Sequence, residues 1–182
     1  MEKERDKRAH AEDLIVRARL EKNPARKLFF ATQAITFVPD EPAALIEQVK
    51  ALIHSGMLRE AEEQIQEIIE NNPDNGEGWY LHGIIQSMRG NTEDAKTSLQ
   101  KAVGVLTKPG PAQFALGNLL KIDGEYEEAL HLYNSALHDD NRDPDIWESR
   151  GRVLLELKQY KQAIISFDHV LELRPDNYQV KE

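Results

Sequence analysis

Residues 144–177 read PDIWESRGRVLLELKQYKQAIISFDHVLELRPDN. Around Lys161 to Leu173 of this stretch, Ala163, Ile164, Phe167, Val170 and Leu171 fall at helical spacing. Working toward the N-terminus, the same residue types return every 34 positions. Ala163 is preceded by Ala129, Ala95 and Ala61, and Gly151 by Gly117 and Gly83. Phe167 is preceded by the large side chains Tyr133, Leu99 and Ile65, and Trp147 stands two steps after Trp79. Pro39, Pro73 and Pro175 mark the ends of units, with Thr107 and Asn141 in the corresponding places of the others. A fixed period of this length indicates a solenoid of stacked units.

Each unit reads as two helices. In 76–109, Trp79, Gly83, Ile84 and Met88 supply one stripe, Arg89-Gly90-Asn91 is a turn, and Thr92 is the expected N-cap of the next helix. Asp94 puts an acid in its first turn, and Ala95, Leu99, Ala102 and Val103 form the second stripe. Lys108-Pro-Gly-Pro111 ends that helix and starts the next unit. Glycine inside a helix costs about 1 kcal/mol against alanine. Three in register therefore imply a close approach to the backbone, and the aligned alanines are the expected visitors. No unit buries both stripes alone, so stability comes from stacking.

These residues resemble the tetratricopeptide repeat. Trp147, Gly151, Ala163, Phe167 and Pro175 carry the pattern in the last full unit. Leu116, Gly117, Ala129, Tyr133 and Ala136 carry it in the unit before, and Trp79, Gly83, Ala95, Leu99 and Ala102 in the one before that. In 42–75, Val49 replaces the glycine while Ala61 and Pro73 hold. The resemblance covers 42–177. It implies an all-α, right-handed α-solenoid of helix-turn-helix repeats: repeat one at 42–75, repeat two at 76–109, repeat three at 110–143 and repeat four at 144–177.

Residues 1–41 read as an N-terminal helical pair or a degenerate repeat. Leu14, Ile15 and Ala18 form a short stripe, Asn23-Pro24 reads as N-cap and first helical residue, and Leu28, Ala31, Ala34 and Ile35 form a second stripe. Lys27 stands where the aligned alanine should be. At the other end, 178–182 reads as the start of an incomplete capping helix. Either the protein continues or the last helix docks elsewhere. Ile164 and Leu171 share a stripe that would face a missing unit, so association through this end, most simply as a two-fold dimer, is expected.

There are no cysteines, which excludes disulfides and thiolate metal sites. The net charge is −9, from 23 basic and 32 acidic residues, which disfavours a general nucleic-acid or anionic-membrane surface. No apolar run approaches the roughly 20 residues of a membrane span, and the first residues do not form a signal peptide. A cytoplasmic protein is the default. No phosphate loop, nucleophile elbow or zinc-protease motif occurs. Asp139, Asn141 and Asp143 have the spacing of a calcium loop, but Pro144 and Arg150 occupy the places of its glycine and bidentate glutamate, so a solvated loop is expected. His131 and His138 read as surface residues, and Trp79 and Trp147 as packing residues. No catalytic, cofactor or metal site is expected, and no enzyme.

The resemblance implies that first helices line a concave groove for peptides or partner helices. The places in it fall on Ile46, Lys50, Tyr80, Ile84, Met88, Phe114, Asn118, Lys121 and Arg152, with Ile53 and Ile122 adding apolar surface. The family's carboxylate clamp is not matched. Its places hold Ile46, Lys50, Leu81, Pro111 and Ala115 in one register, or Tyr80, Ile84, Ala115, Asp145 and Ser149 in the other. The expected function is a non-catalytic scaffold binding a peptide or helix of a protein partner. The alternatives are a regulatory repeat segment of a larger enzyme, such as a transferase, or a self-assembly module.

Overall fold

The computed structural model describes residues 2–175, with residue 2 described by its backbone alone. Among the described residues there are ten α-helices and no strand: α1 Glu2–Leu20, α2 Pro24–Phe37, α3 Pro42–His54, α4 Leu58–Asn71, α5 Gly76–Met88, α6 Thr92–Val105, α7 Gly110–Ile122, α8 Tyr126–Asp139, α9 Pro144–Glu156 and α10 Tyr160–Leu173. The protein is an all-α helical-repeat solenoid. Pro42, Gly76, Gly110 and Pro144 open successive odd helices at a 34-residue step, and Pro24, Leu58, Thr92, Tyr126 and Tyr160 open the even ones at the same step. The N-terminal pair thus keeps the phase of the others, with α1 extended toward the N-terminus. Thr92 is the first residue of α6 and not its cap.

The helix ends follow local chemistry. Asn23 and Asn75 accept hydrogen bonds from the backbone N–H of Arg26 and Gly78 at 3.1 and 2.8 Å. Proline occupies the first turn of α2, α3, α7 and α9, where no N–H is missed. Inside the last four pairs, the turn has one geometry. The N–H groups of Met57, Asn91, Glu125 and Gln159 reach back to the carbonyls of Leu52, Gln86, Leu120 and Leu154. The residue before each of these donors is left-handed: Gly56, Gly90 and Gly124 at φ +74°, +82° and +81°, and Lys158 at φ +58°.

By compactness the chain divides between α5 and α6, into Met1–Asn91 and Thr92–Glu182. Within the first unit each helix packs on the next, and α3 also packs on α1 and α5. Its core holds Ile46, Val49, Leu52, Ala61, Ile65, Ile68, Leu81 and Ile85, with a second cluster of Ala11, Leu14, Ile15, Ala34 and Ala44 under α1. Within the second unit α6 to α10 pack in succession, and α7 also touches α9.

The aligned alanines 61, 95, 129 and 163 are all fully buried. They are not what comes closest to Gly117 and Gly151. A Cβ placed on Gly117 would lie 2.8 Å from the Tyr133 ring, and one on Gly151 would lie 2.8 Å from the Phe167 ring. The expected alanine-to-glycine contact is therefore corrected. A long, flat ring crosses to the neighbouring helix and lies where the Cβ is missing.

Candidate partner-binding faces

In the first unit the face of interest is built on α3 and α5. Lys50 is not a free charge. Its Nζ lies 3.0 Å from Glu47 Oε1 and 2.7 Å from Glu77 Oε1, tying α3 to α5. Burial works against this ammonium, but the hydrogen bonds to Glu77 and Glu47 outweigh it and hold its pKa above the ordinary lysine value. Tyr80 is half-buried against the core, and burial pushes its hydroxyl pKa up against the pull of Lys50. Ile84 is half-buried and Met88 is exposed. Ile46, expected in the groove, is 3% exposed and belongs to the core, so it offers a partner no surface. It packs in one cluster with residues of α4 and α5, and that packing consumes the side chain.

One residue of this region escaped the sequence reading. Glu47 is 1% exposed and is surrounded by three cations: Arg19 Nε at 3.4 Å, Lys27 Nζ at 3.6 Å and Lys50 Nζ at 3.0 Å. These come from α1, α2 and α3. The only available signal was Lys27 itself, a charge at a position where the other four units carry buried alanine.

In the second unit the face is built on α7 and α9. Phe114 tilts against Tyr133 with ring centroids 5.9 Å apart. The Tyr133 hydroxyl donates to Asn118 Oδ1 at 2.9 Å, and Lys121 Nζ donates to the same oxygen at 3.2 Å. Burial, and then the neighbouring Arg152 guanidinium, push the Lys121 pKa down. Arg152 is exposed and donates from Nε and Nη2 to Glu148 Oε1, at 3.1 and 2.7 Å. Lys121, Arg152, Val153, Leu155 and Glu156, with Tyr126 of α8, line an open pocket of about 290 Å³. Ile122 and Leu155 are exposed beside the two cations. Of the nine expected groove residues, five thus lie in the first compact unit and four in the second.

The acid-rich 139–143 segment is engaged with backbone. Asp139 Oδ2 accepts from Gly110 N at 2.8 Å, Asp140 Oδ1 from Arg142 N at 2.9 Å and Asp143 Oδ1 from Asp145 N at 2.9 Å. Among the described residues no group of three or more His, Cys, Asp or Glu could hold a metal ion, and no helix is long and apolar enough to cross a membrane. On α10, Ile164, Ile165 and Leu171 are exposed.

A family model described as Tetratricopeptide repeat matches residues 114–178. Over 94 residues the chain is 32% identical to the type IV pilus assembly protein PilF of Pseudomonas aeruginosa, a match covering 52% of this chain and 36% of that protein. Over 64 residues it is 38% identical to a UDP-N-acetylglucosamine–peptide N-acetylglucosaminyltransferase of Giardia intestinalis, covering 35% of this chain and 4% of that protein. The matched stretch is thus well under two thirds of either relative. Among solved structures, TTC0263, a thermophilic TPR protein of Thermus thermophilus, superposes with a TM-score of 0.72 at 18% identity, covering 96% of this chain and 93% of that one. YrrB, described as a TPR protein with an unusual peptide-binding site, superposes with a TM-score of 0.63 at 21% identity, covering 84% and 79%. At these identities the structural likeness is one of fold. Taken with the 34-residue step of the helices and the aligned alanines, glycines and aromatics, it leads to one conclusion: the described chain has the tetratricopeptide-repeat fold, and residues 114–178 match that family's model.

Proposed function

We propose that this protein is a non-catalytic interaction scaffold whose odd-numbered helices bind an extended peptide or a helix of a protein partner. The observation that carries the reading is the α7–α9 face. There Lys121, Arg152 and exposed Leu155 line an open pocket, and exposed Ile122 follows Lys121 at the end of α7. Arg152 already pairs with Glu148, so Lys121, bound to the Asn118 amide oxygen and with its pKa lowered by burial and by Arg152, is the cation that favours an arriving carboxylate. The apolar pair favours an aliphatic or aromatic neighbour of that carboxylate. The partner segment therefore combines an acidic residue with a large apolar one. The peptide-binding site described for YrrB supports peptide binding as a use of this fold.

Selection from a displayed random-peptide library tests this, with counter-selection on a Lys121→Glu/Arg152→Glu variant. Enriched peptides should combine acids with large apolar residues and should lose binding to the variant. Peptides that bind the variant equally well would overturn the reading.

A second reading is that the chain accompanies a catalytic domain, favoured by the 38% identity to the Giardia transferase over 64 residues. The full open reading frame decides between them, since an appended transferase domain would favour the second reading.

A further inference from the structure

Trp79 and Trp147 stand at equivalent positions in their helix pairs and make equivalent contacts. The Trp79 indole N–H donates to the carbonyl of Pro73 at 2.7 Å, and that of Trp147 to the carbonyl of Asn141 at 2.8 Å. Each acceptor lies six residues before its tryptophan. The His169 ring of α10 lies 4.2 Å from the Trp147 ring, centroid to centroid. In the pair α3–α4 the same position carries Leu45, the carbonyl six residues earlier belongs to Pro39, and the counterpart of His169 is Glu67.

Leucine does not fill the space of an indole. An open pocket of about 360 Å³ lies there, with Pro39, Leu45, Gln64, Glu67, Ile68 and Asn71 in its wall. All of these belong to the first compact unit. A second observation points to an occupant with a donor. Gln64 Oε1 is buried and has no hydrogen-bond partner. A buried acceptor left unpaired is unfavourable, and native structures rarely keep one.

We propose that this pocket receives the indole side chain of a tryptophan on a partner polypeptide. An indole supplies both things the pocket lacks, a flat apolar ring and one N–H donor. Two wall residues carry acceptors for it: Pro39, whose carbonyl is the counterpart of those that Trp79 and Trp147 use, and Gln64, whose buried Oε1 is reached by a turn of its side chain. The chain has two tryptophans, and both already donate their N–H to backbone carbonyls just ahead of their own helices, so the indole comes from another molecule. The site lies apart in sequence from the Lys121 and Arg152 face, and it stands or falls independently of that face.

The test uses the full chain labelled with nitrogen-15 and a pentapeptide with one central tryptophan flanked by glycines. Saturable shift changes are expected at Leu45, Gln64 (including its side-chain amide) and Ile68. A peptide carrying 1-methyltryptophan, which lacks the N–H, should bind about tenfold more weakly. Leu45→Trp should fill the pocket from within and abolish the shifts. Gln64→Leu, which removes one of the acceptors without adding bulk to the ring site, should narrow the difference between the two peptides. The proposal is overturned if the tryptophan peptide gives no saturable shifts, if they map elsewhere, or if Leu45→Trp folds and still binds. Binding of free indole with exclusion of the peptide would overturn it equally, because the occupant would then be a small molecule.

Discussion

The Lys27 ammonium lies 3.6 Å from Glu47 Oε2, with the two side chains 12% and 2% exposed. Lys27 stands on α2 where the other even helices carry a fully buried alanine, and Glu47 answers it from α3. Two departures from the repeat pattern thus compensate each other. Glu47→Ala leaves Lys27 nearly buried and unpaired, and should cost about 3–5 kcal/mol. Adding Lys27→Ala restores the pattern and should recover much of that loss. Denaturant midpoints of the two single variants and the double variant form the cycle; strictly additive losses would show that the pair is not coupled.

Gly117 and Tyr133 set a second expectation. Alanine is the better helix former by about 1 kcal/mol. A Cβ at Gly117 would nonetheless press on the buried Tyr133 ring at 2.8 Å, and that ring also donates to Asn118. Gly117→Ala should therefore destabilise by about 1–3 kcal/mol. A variant of equal or higher melting temperature would show that the ring moves aside freely.

Lys158 occupies, at φ +58°, the left-handed turn position that is glycine in the three preceding turns. Lys158→Gly relieves backbone strain, offset in part by glycine's greater freedom when unfolded. The net gain should be about 0.5–1 kcal/mol. The reverse change at Gly124, to lysine, should cost a similar amount. Urea melts of both variants check the pair of signs.

Alkaline pH should weaken the fold. Burial holds the Tyr133 and Tyr80 hydroxyl pKa values above that of an exposed tyrosine, about 10. The carboxylates around Lys50 hold its pKa up as well. Each raised pKa means that the folded state keeps a proton the unfolded chain has lost. The stabilisation is fully present below the unfolded values and disappears as pH rises through the folded ones. Urea midpoints should fall between pH 9 and 12, and the fall should be smaller in Tyr133→Phe, whatever that variant's stability at neutral pH. An equal fall would exclude Tyr133 as a contributor.

Exposed Ile164 and Leu171 on α10 make concentration-dependent association the expected behaviour. Sedimentation over a hundredfold concentration range should show it, and Ile164→Lys with Leu171→Lys should abolish it while circular dichroism stays helical. A parent protein that sediments as a monomer throughout ends this expectation.

The period, the helix positions and the turns were legible in the sequence because they are local. Helical spacing of apolar residues, Asn23 as a cap and Gly90 in its turn each act within a few residues of themselves. The candidate face was legible only in part. Register places Ile46 and Lys50 on the groove side, but burial of one and double pairing of the other depend on how closely α3 packs on α5. That Tyr133, and not Ala129, lies over Gly117 follows from the reach of a ring across two helices. The Lys27–Glu47 contact and the pocket beside Leu45 are likewise decided through space. One joins residues twenty positions apart, and the other is the volume left when a smaller side chain takes the place of an indole. A one-dimensional pattern records which residue types recur, and only the packed helices determine which atoms meet and where none do.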